Sequence, residues 1–488
     1  MPRVRLNIAQ GFYVDESIPV SSQQCVNLYP HIPETQTITD GALIGTSGID
    51  LAISANDTNR GARTLAGQAY CVNGILLYII TYTEDTFGIR TYFKNYLIGP
   101  SIAGTAPVIM SDNGTQLCIV APDVTTKFNT YIYSVATGLL AISDADFDGP
   151  VNFVVYHDGY FVFSKKNSNK FFTSELRDGF IYDALDFASA ESDPDNIIAM
   201  AVLNGLLYIF GTRTYETWQN TSVGAAFPYT KATSGNQPKG CFAPLSLTLF
   251  DNSLVWIGGG ANEKPAIWAT GGGAPEKIST PAIDYLINSG GSTKLALAYQ
   301  MNWAEKGHNF IAFTVPDVCT VVYDTYTKRW HQRESLTSSG NIVPWRVGGL
   351  MSVYSVIMVG DYIGPNVGIL SDQAYYEYGN RISRYCTPPA VDNNGEPFTV
   401  DAFELMMETG TNPIFGQGSN PIIRMAVSNN NGRTFSPEIS RYMGFTGDYE
   451  NRISWDNLGR YSRSFQPKFI TDEPIKIVIV KGEMVIDS

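Results

Sequence analysis

Six two-residue turns, each set between short runs of β-branched and aromatic residues, recur along the first two thirds of this chain. They fall at Asn73-Gly74 (AYCVNGILLYII), Asn113-Gly114 (NGTQLCIV), Asp158-Gly159 (FVVYHDGYFVF), Asn204-Gly205 (AVLNGLLYIFG), Asp251-Asn252 (LTLFDNSLVWIG) and, with weaker turn chemistry, Lys306-Gly307 (WAEKGHNFIAF). Asn-Gly and Asp-Gly accept the positive φ of a type I′ turn, so each copy reads as a tight β-hairpin. The steps between them are 40, 45, 46, 47 and 55 residues. One hairpin at a fixed place in a unit of roughly 40–50 residues is the period of a propeller blade of about four strands. The fold expected is all-β: an irregular six- or seven-bladed β-propeller with an additional C-terminal β unit. The stretch SVYSVIMVGDYIGPNVGILSDQ (352–373), with looser turn chemistry, is what leaves the count at six or seven.

The rest of the chain divides around these repeats. Residues 1–60 are rich in turn formers and read as an N-terminal arm docked on something else; 61–378 hold the propeller. Residues 379–400 form a Pro/Gly/Asn-rich boundary. From there 379–454 read as a projecting β unit and 455–488 as C-terminal strands available to close the propeller. Helix is scarce, and PAIDYLINS (281–289) is the best candidate.

Of the residues that carry chemistry, few are placed to do any. The four histidines, His31, His157, His308 and His331, are far apart in sequence, and His157 and His308 adjoin hairpin turns, where an exposed polar residue is expected. No GxSxG, HExxH or Walker-type loop is present. The runs Gly258-Gly259-Gly260 and Gly271-Gly272-Gly273 flank a strand rather than opening a helix, which suits blade turns better than phosphate binding. Asp144, Asp146 and Asp148 alternate as in calcium loops, but without a terminal bidentate Glu they read as a solvated turn. SNNNGRTF (428–435) resembles the Asp-box of sialidases and related propellers: Ser428, Gly432 and Thr434 match, while Asn430 and Phe435 replace the Asp and Trp. In that motif the side chains pin a turn, so a structural role is expected. The six cysteines (Cys25, Cys71, Cys118, Cys241, Cys319, Cys386) form no CxxC pair, and neither a disulfide framework nor a zinc site is expected. The sequence thus offers no catalytic, cofactor-binding or metal site and implies no cofactor.

Several phrases, taken in order, resemble the packaged-DNA stabilisation proteins of short-tailed phages, which form the tail hub, or nozzle. They begin with Val26-Asn27-Leu28-Tyr29-Pro30, Thr46-Ser47-Gly48-Ile49 and Arg60-Gly61. Asp158-Gly159-Tyr160-Phe161-Val162-Phe163 follows, then Asp178, Ser192-Asp193-Pro194-Asp195 and Leu203-Asn204-Gly205-Leu206. Glu216 before Trp218, Pro238-Lys239-Gly240, Tyr323-Asp324 with Trp330, Trp455 and Leu458-Gly459-Arg460 complete the series. Residues 379–454 match poorly. The resemblance implies a structural virion protein with no active site: a homo-oligomeric ring, hexameric in that family, that continues the portal channel. Its neighbours would be tail adaptor proteins above and tail fibres, spikes or a needle outside. It would be made in the host cytoplasm, reside in the virion tail, and retain packaged DNA without specific binding or membrane insertion. The alternative is a carbohydrate-binding or carbohydrate-active propeller, suggested by the Asp-box-like turn and the aromatic content.

The charge balance bears on the DNA. With 33 basic and 46 acidic residues the net charge is −13, which opposes tight phosphate contacts and suits a wall past which DNA slides. Arg441, Arg452, Arg460 and Arg463 form a local basic group, expected to pair with Glu450 and Asp456 or to contact a neighbouring subunit rather than DNA. A gel-shift assay with duplex DNA at physiological salt is expected to show no retarded band; tight, steeply salt-dependent binding would contradict this reading.

Overall fold

The computed structural model describes residues 3–35, 37–54, 57–191, 193, 195–221, 227–232 and 236–487. Among them, seven sheets are arranged as blades whose first strands pack side by side around a ring. Those first strands are Asn59–Leu65, Ile109–Asp112, Val151–His157, Ala199–Leu203, Thr248–Phe250, Tyr299–Glu305 and Val347–Val353, and they number blades 1 to 7. The stretch 352–373 therefore does contribute a blade, and the count is seven.

Each first strand turns into the second through a two-residue loop. Both loop residues carry positive φ at Ala66-Gly67, Asp158-Gly159, Asn204-Gly205, Asp251-Asn252, Lys306-Gly307 and Tyr354-Ser355, as a type I′ turn requires. Blade 2 turns through Gly114-Thr115, closed by the Asn113 N–H donating to the Gln116 carbonyl, and there Gly114 has positive φ, 87°. Asn73-Gly74 is not part of this series: it joins the second and third strands of blade 1, Gln68–Asn73 and Leu76–Glu84. The equivalent loop is Ala66-Gly67, where an Ala at φ 49° gave no turn signal in the sequence. Tyr354-Ser355 is hidden for the same reason.

Blade 7 has only three strands from its own stretch of chain. The fourth is Gly48–Ser54, paired antiparallel to Asn366–Ser371, so the ring is closed by the N-terminal region. Ser22–Val26 lies parallel against the outer strand of blade 6, with Val26 opposite Gln332. On its other side it pairs with Arg384–Thr387, which leads to Gln466–Thr471, Ile422–Ser428 and Ile439–Tyr442. A second sheet runs Leu28–His31, Ala42–Gly45, Val478–Asp487, Phe398–Met407, Ile453–Tyr461, with Arg3–Leu6 also on Val478–Asp487. The two sheets enclose Leu43, Phe403, Met425, Trp455, Phe465 and Phe469 as a sandwich core.

Two expectations change here. The N-terminal residues are no arm, because their strands complete the sandwich and the last blade. The strands after Trp455 do not close the propeller; they pair with Phe398–Met407 and its neighbours, so 379–454 and 455–488 share both sheets of one sandwich. The sequence hid this because sheet order is non-local, and because alternation slips within Phe398–Met407. A bulge between Val400 and Ala402 moves the buried phase from Phe398 and Val400 to Phe403 and Leu405. The helix expected at 281–289 is present as Pro281–Asn288, capped by the Thr280 hydroxyl accepting from the Ile283 amide.

Gly205 sits at φ 71° with open space where a Cβ would be. A Gly205→Val substitution is therefore expected to cost about 1–2 kcal/mol from backbone strain alone, read as a lowered thermal midpoint.

Candidate functional site: the junction of propeller and sandwich

The phrases that carried the family resemblance converge where the two units meet. Asn27 follows Ser22–Val26 directly and takes the left-handed conformation at φ 53°. Its amide nitrogen Nδ2 donates to the Glu334 carbonyl at 2.9 Å and the Ser383 carbonyl at 2.8 Å. Its Oδ1 accepts from the Glu334 N–H at 3.0 Å. Its backbone N–H donates to the Gln332 carbonyl, and its own carbonyl accepts from the Thr46 N–H. One side chain and one peptide thus bind blade 6, the inter-unit segment and the crossing strand. The crossing itself is Thr46-Ser47-Gly48. A Cβ on Gly48 would stand 2.4 Å from the Tyr376 carbonyl oxygen, so only glycine lets the chain pass.

Two arginines are buried beside this crossing, each 1% exposed. Arg333 donates to the Ser47 carbonyl at 2.7 Å, stacks on Trp345 at 3.8 Å and lies 3.6 Å from Glu377. Arg384 reaches the Thr46 and Glu473 carbonyls, both at 3.4 Å. Burial pulls both guanidinium groups down to about 10, with Glu377 opposing the shift in each case. Burial pushes the Glu377 carboxyl up, against Arg333 and the hydroxyl of Ser335. Backbone carbonyls thus share the neutralisation of two cations with nearby carboxylates, of which Glu377 pairs with Arg333.

A second constellation adjoins the first. His31 Nδ1 is 2.9 Å from His308 Nε2, and His308 Nδ1 is 2.8 Å from Asp324 Oδ2. Asp324 also accepts from the Thr327 hydroxyl at 2.7 Å and the Tyr326 N–H at 3.1 Å. His331 lies close by, against Tyr29 and Phe310. Three histidines that are far apart in sequence are therefore brought together, and His308 is buried rather than exposed beside its turn. Burial, with Arg333 and His308 near, drops His331 to about 3. Burial, then His308, lowers His31. Burial also disfavours the Asp324 carboxylate, but the hydrogen bonds from His308 and Thr327 outweigh it and hold its pKa low. This is a hydrogen-bonded fastening between strand Leu28–His31 and blade 6, in which His31, His308 and Asp324 engage one another while His331 Nδ1 and the Tyr29 hydroxyl are buried without a partner among the described residues.

The other candidate residues lie elsewhere, in structural roles. His157 is also buried, not exposed, 3.1 Å from the Tyr229 hydroxyl. Asp144 accepts from the Asp146 and Tyr182 amides, and Asp148 pairs with Lys165 and Lys170 at 2.6 and 2.7 Å. Ser428 Oγ accepts from the Gly432 N–H at 2.9 Å and Asn430 Oδ1 from the Thr434 N–H at 2.9 Å, pinning a turn as expected, but in the sandwich. Gly258 lies within the strand Ser253–Gly259 close against the Gly240 carbonyl, and Gly272 turns at φ 108°. Arg452 pairs with Glu404, not with Glu450 or Asp456; Arg441 donates to the Ser454 carbonyl at 2.7 Å, and Arg460 and Arg463 are exposed. Arg60 is buried and donates to the carbonyls of Gly74, Ile102, Ala103 and Ala106. Ser192 and Pro194 lie outside the described residues.

Comparison with known proteins gives this junction its context. A family model described as "Bacteriophage P22 Gp10, beta-propeller" matches residues 4–375, and its companion, "Bacteriophage P22 Gp10, beta-sandwich", matches 383–487. The chain belongs to the bacteriophage P22 Gp10 family. The "Tail hub protein gp10" of Salmonella phage P22 is 23% identical over 336 residues, covering 67% of this chain and 69% of the relative. The tail-hub resemblance read from the sequence is therefore met. Among solved structures, the computationally designed Ika8 protein (TM-score 0.36, 13% identical) and the N-terminal domain of Nup159 (TM-score 0.38, 9% identical) each cover 72% of this chain, with 99% of their own chains matched. The Asn27 crossing hydrogen-bonds segments of the propeller and of the sandwich side to one another.

Two outcomes are expected. Glu377→Ala removes the carboxylate paired with buried Arg333 and should cost about 3–5 kcal/mol, measured by urea unfolding. His331, His31 and His157 are all held below their ordinary value of 6.5 in the folded chain. The unfolded chain then binds more protons below pH 6.5, so stability is complete above that pH and falls as pH drops towards the folded values. Urea midpoints should decline between pH 7 and pH 5, and His331→Leu should flatten that slope.

Proposed function

We propose that this protein is a structural tail-hub protein of a phage virion. It forms a ring that continues the portal channel, retains packaged DNA and carries tail appendages. The observation that carries this reading is the pair of family matches, which together span 4–375 and 383–487 and include a relative named as a tail hub. On the strand pairings, the working division is a propeller of 48–371 and a sandwich built from 3–45 and 384–487.

Three physical features support the reading. The junction is buried, with its arginines on backbone carbonyls and His31, His308 and Asp324 on one another, which favours a scaffold over an enzyme. Large apolar side chains stand in solvent on the blades and on the sandwich loops: Phe87 is 87% exposed, Phe415 86% and Ile98 85%. Such surface in a single chain suits burial against neighbours in an assembly. The negative net charge suits a channel in which DNA is held by a plug rather than gripped. The partners in this reading are further copies of the chain, six by analogy with the family, with adaptor proteins above and fibres, spikes or a needle outside. The turn that suggested a carbohydrate protein holds only its own loop together.

Negative-stain microscopy of the purified protein, alone and mixed with portal and adaptor, tests this directly. Closed rings, alone or on the adaptor, are expected; monomers under both conditions would overturn the reading.

A further inference from the structure

All six cysteines are buried and unpaired, yet two of them face each other. In the ladder between Ser22–Val26 and Arg384–Thr387, Cys25 is directly opposite Cys386, flanked by Gln24 opposite Thr387 and Val26 opposite Tyr385. Directly opposed residues of an antiparallel pair share a face and have Cα atoms about 4.5–5.5 Å apart. A disulfide spans about 4.4–6.8 Å between Cα atoms. Both thiols sit in the sandwich core, each 1% exposed. The other four cysteines lie in blades 1, 2, 5 and 6, and none is opposite another in a ladder.

We propose that Cys25 and Cys386 are a latent cross-strand disulfide, a site of oxidative modification that fastens the crossing strand to the sandwich. The oxidant is a disulfide such as oxidised glutathione. The thiolate uncovered first attacks it, one glutathione thiol leaves, and a mixed disulfide forms. The second cysteine then displaces the other glutathione. The Cys25–Cys386 bond is made, the glutathione disulfide is broken, and the two cysteine protons leave on two glutathione thiols.

The same burial makes the step slow. The Cys25 thiol donates to the Leu28 carbonyl at 3.1 Å and must turn away. Burial, and then the neighbouring Cys386, raises its pKa, and burial pushes Cys386 up to about 12. Thiolate is therefore scarce until Ser22–Val26 lifts from its neighbours. In a reducing cytoplasm the dithiol persists; outside the cell the bond accumulates. Only this statement of where oxidation happens rests on the tail-hub reading. Once made, the bond closes a covalent loop around all seven blades.

The test uses the full chain, prepared reduced and then treated with oxidised glutathione, both natively and during refolding from urea in a glutathione redox buffer. Refolding removes the access barrier. After alkylation, non-reducing mass spectrometry is expected to show a peptide linking Cys25 to Cys386 and four remaining free thiols. The bond should form faster in mild urea than in buffer. The urea midpoint of the oxidised protein should rise, and reductant or Cys25→Ser should abolish the rise. Six free thiols after oxidative refolding, or a bond between any other pair, overturns the proposal whether or not the variant folds. Ring formation by microscopy is a separate readout, so the failure of one idea is visible without the other.

Discussion

The hydrogen bonds of Asn27 are the constraint on which the rest of this molecule depends. A strand that ends in the left-handed conformation presents its next peptide at an angle no extended residue could reach, and asparagine tolerates that conformation while offering both a donor and an acceptor. Here the donor reaches two carbonyls on different segments, and the acceptor takes a third backbone group. Without it the outer strand of blade 6 would be an open edge, and the sandwich sheet that continues from it would have no start. The Thr46-Ser47-Gly48 crossing depends on the same residue, because its first amide is held by the Asn27 carbonyl. Closure of the ring, two residues later, inherits that position.

Around this anchor the chain has accepted an expensive arrangement of charge. Arg333 and Arg384 could each have been apolar, and buried ion pairs are often no more stabilising than well-packed hydrophobic residues. What they supply is direction. A guanidinium aimed at the carbonyls of Thr46 and Ser47 satisfies peptide oxygens that would otherwise be buried without donors, and it does so in only one placement of the crossing segment. The His31–His308–Asp324 chain acts alike on the next strand. The histidine arrangement trades tolerance of acid for a defined geometry between the two units, whereas the burial cost of Glu377, whose carboxyl is pushed up, is felt at neutral pH.

Much of the propeller was legible because its signal is local. Asn204-Gly205 or Asp158-Gly159 between apolar runs states a turn and its conformation within four residues. Ala66-Gly67 and Tyr354-Ser355 make the same turn with residues that carry no such preference, so one hairpin was assigned to the wrong loop and the seventh blade stayed uncertain. The junction was not legible in geometry at all. His31 and His308 are 277 positions apart, and nothing in the composition around either says that they touch. What could be read was an ordered set of phrases, Val26-Asn27-Leu28-Tyr29-Pro30 and Thr46-Ser47-Gly48 among them. Their function proved to be fastening, which explains why they looked like no known catalytic pattern.

The use of Gly48–Ser54 as the last strand of blade 7 has a consequence for biosynthesis. This strand leaves the ribosome early, but the strand it pairs with, Asn366–Ser371, is made more than 300 residues later. At about 5–20 residues per second, roughly a quarter of a minute to a minute passes with a β-prone segment unpaired. Ser22–Val26 waits longer still for Arg384–Thr387. The first six blades can form while these segments hang free, and the ring can close once Asn366–Ser371 is made, but the sandwich must wait for the C-terminal strands. The nascent chain is thus exposed to pairing with its neighbours on the same message for most of its synthesis, and a chaperone that shields unpaired strands has a defined target: the first fifty residues.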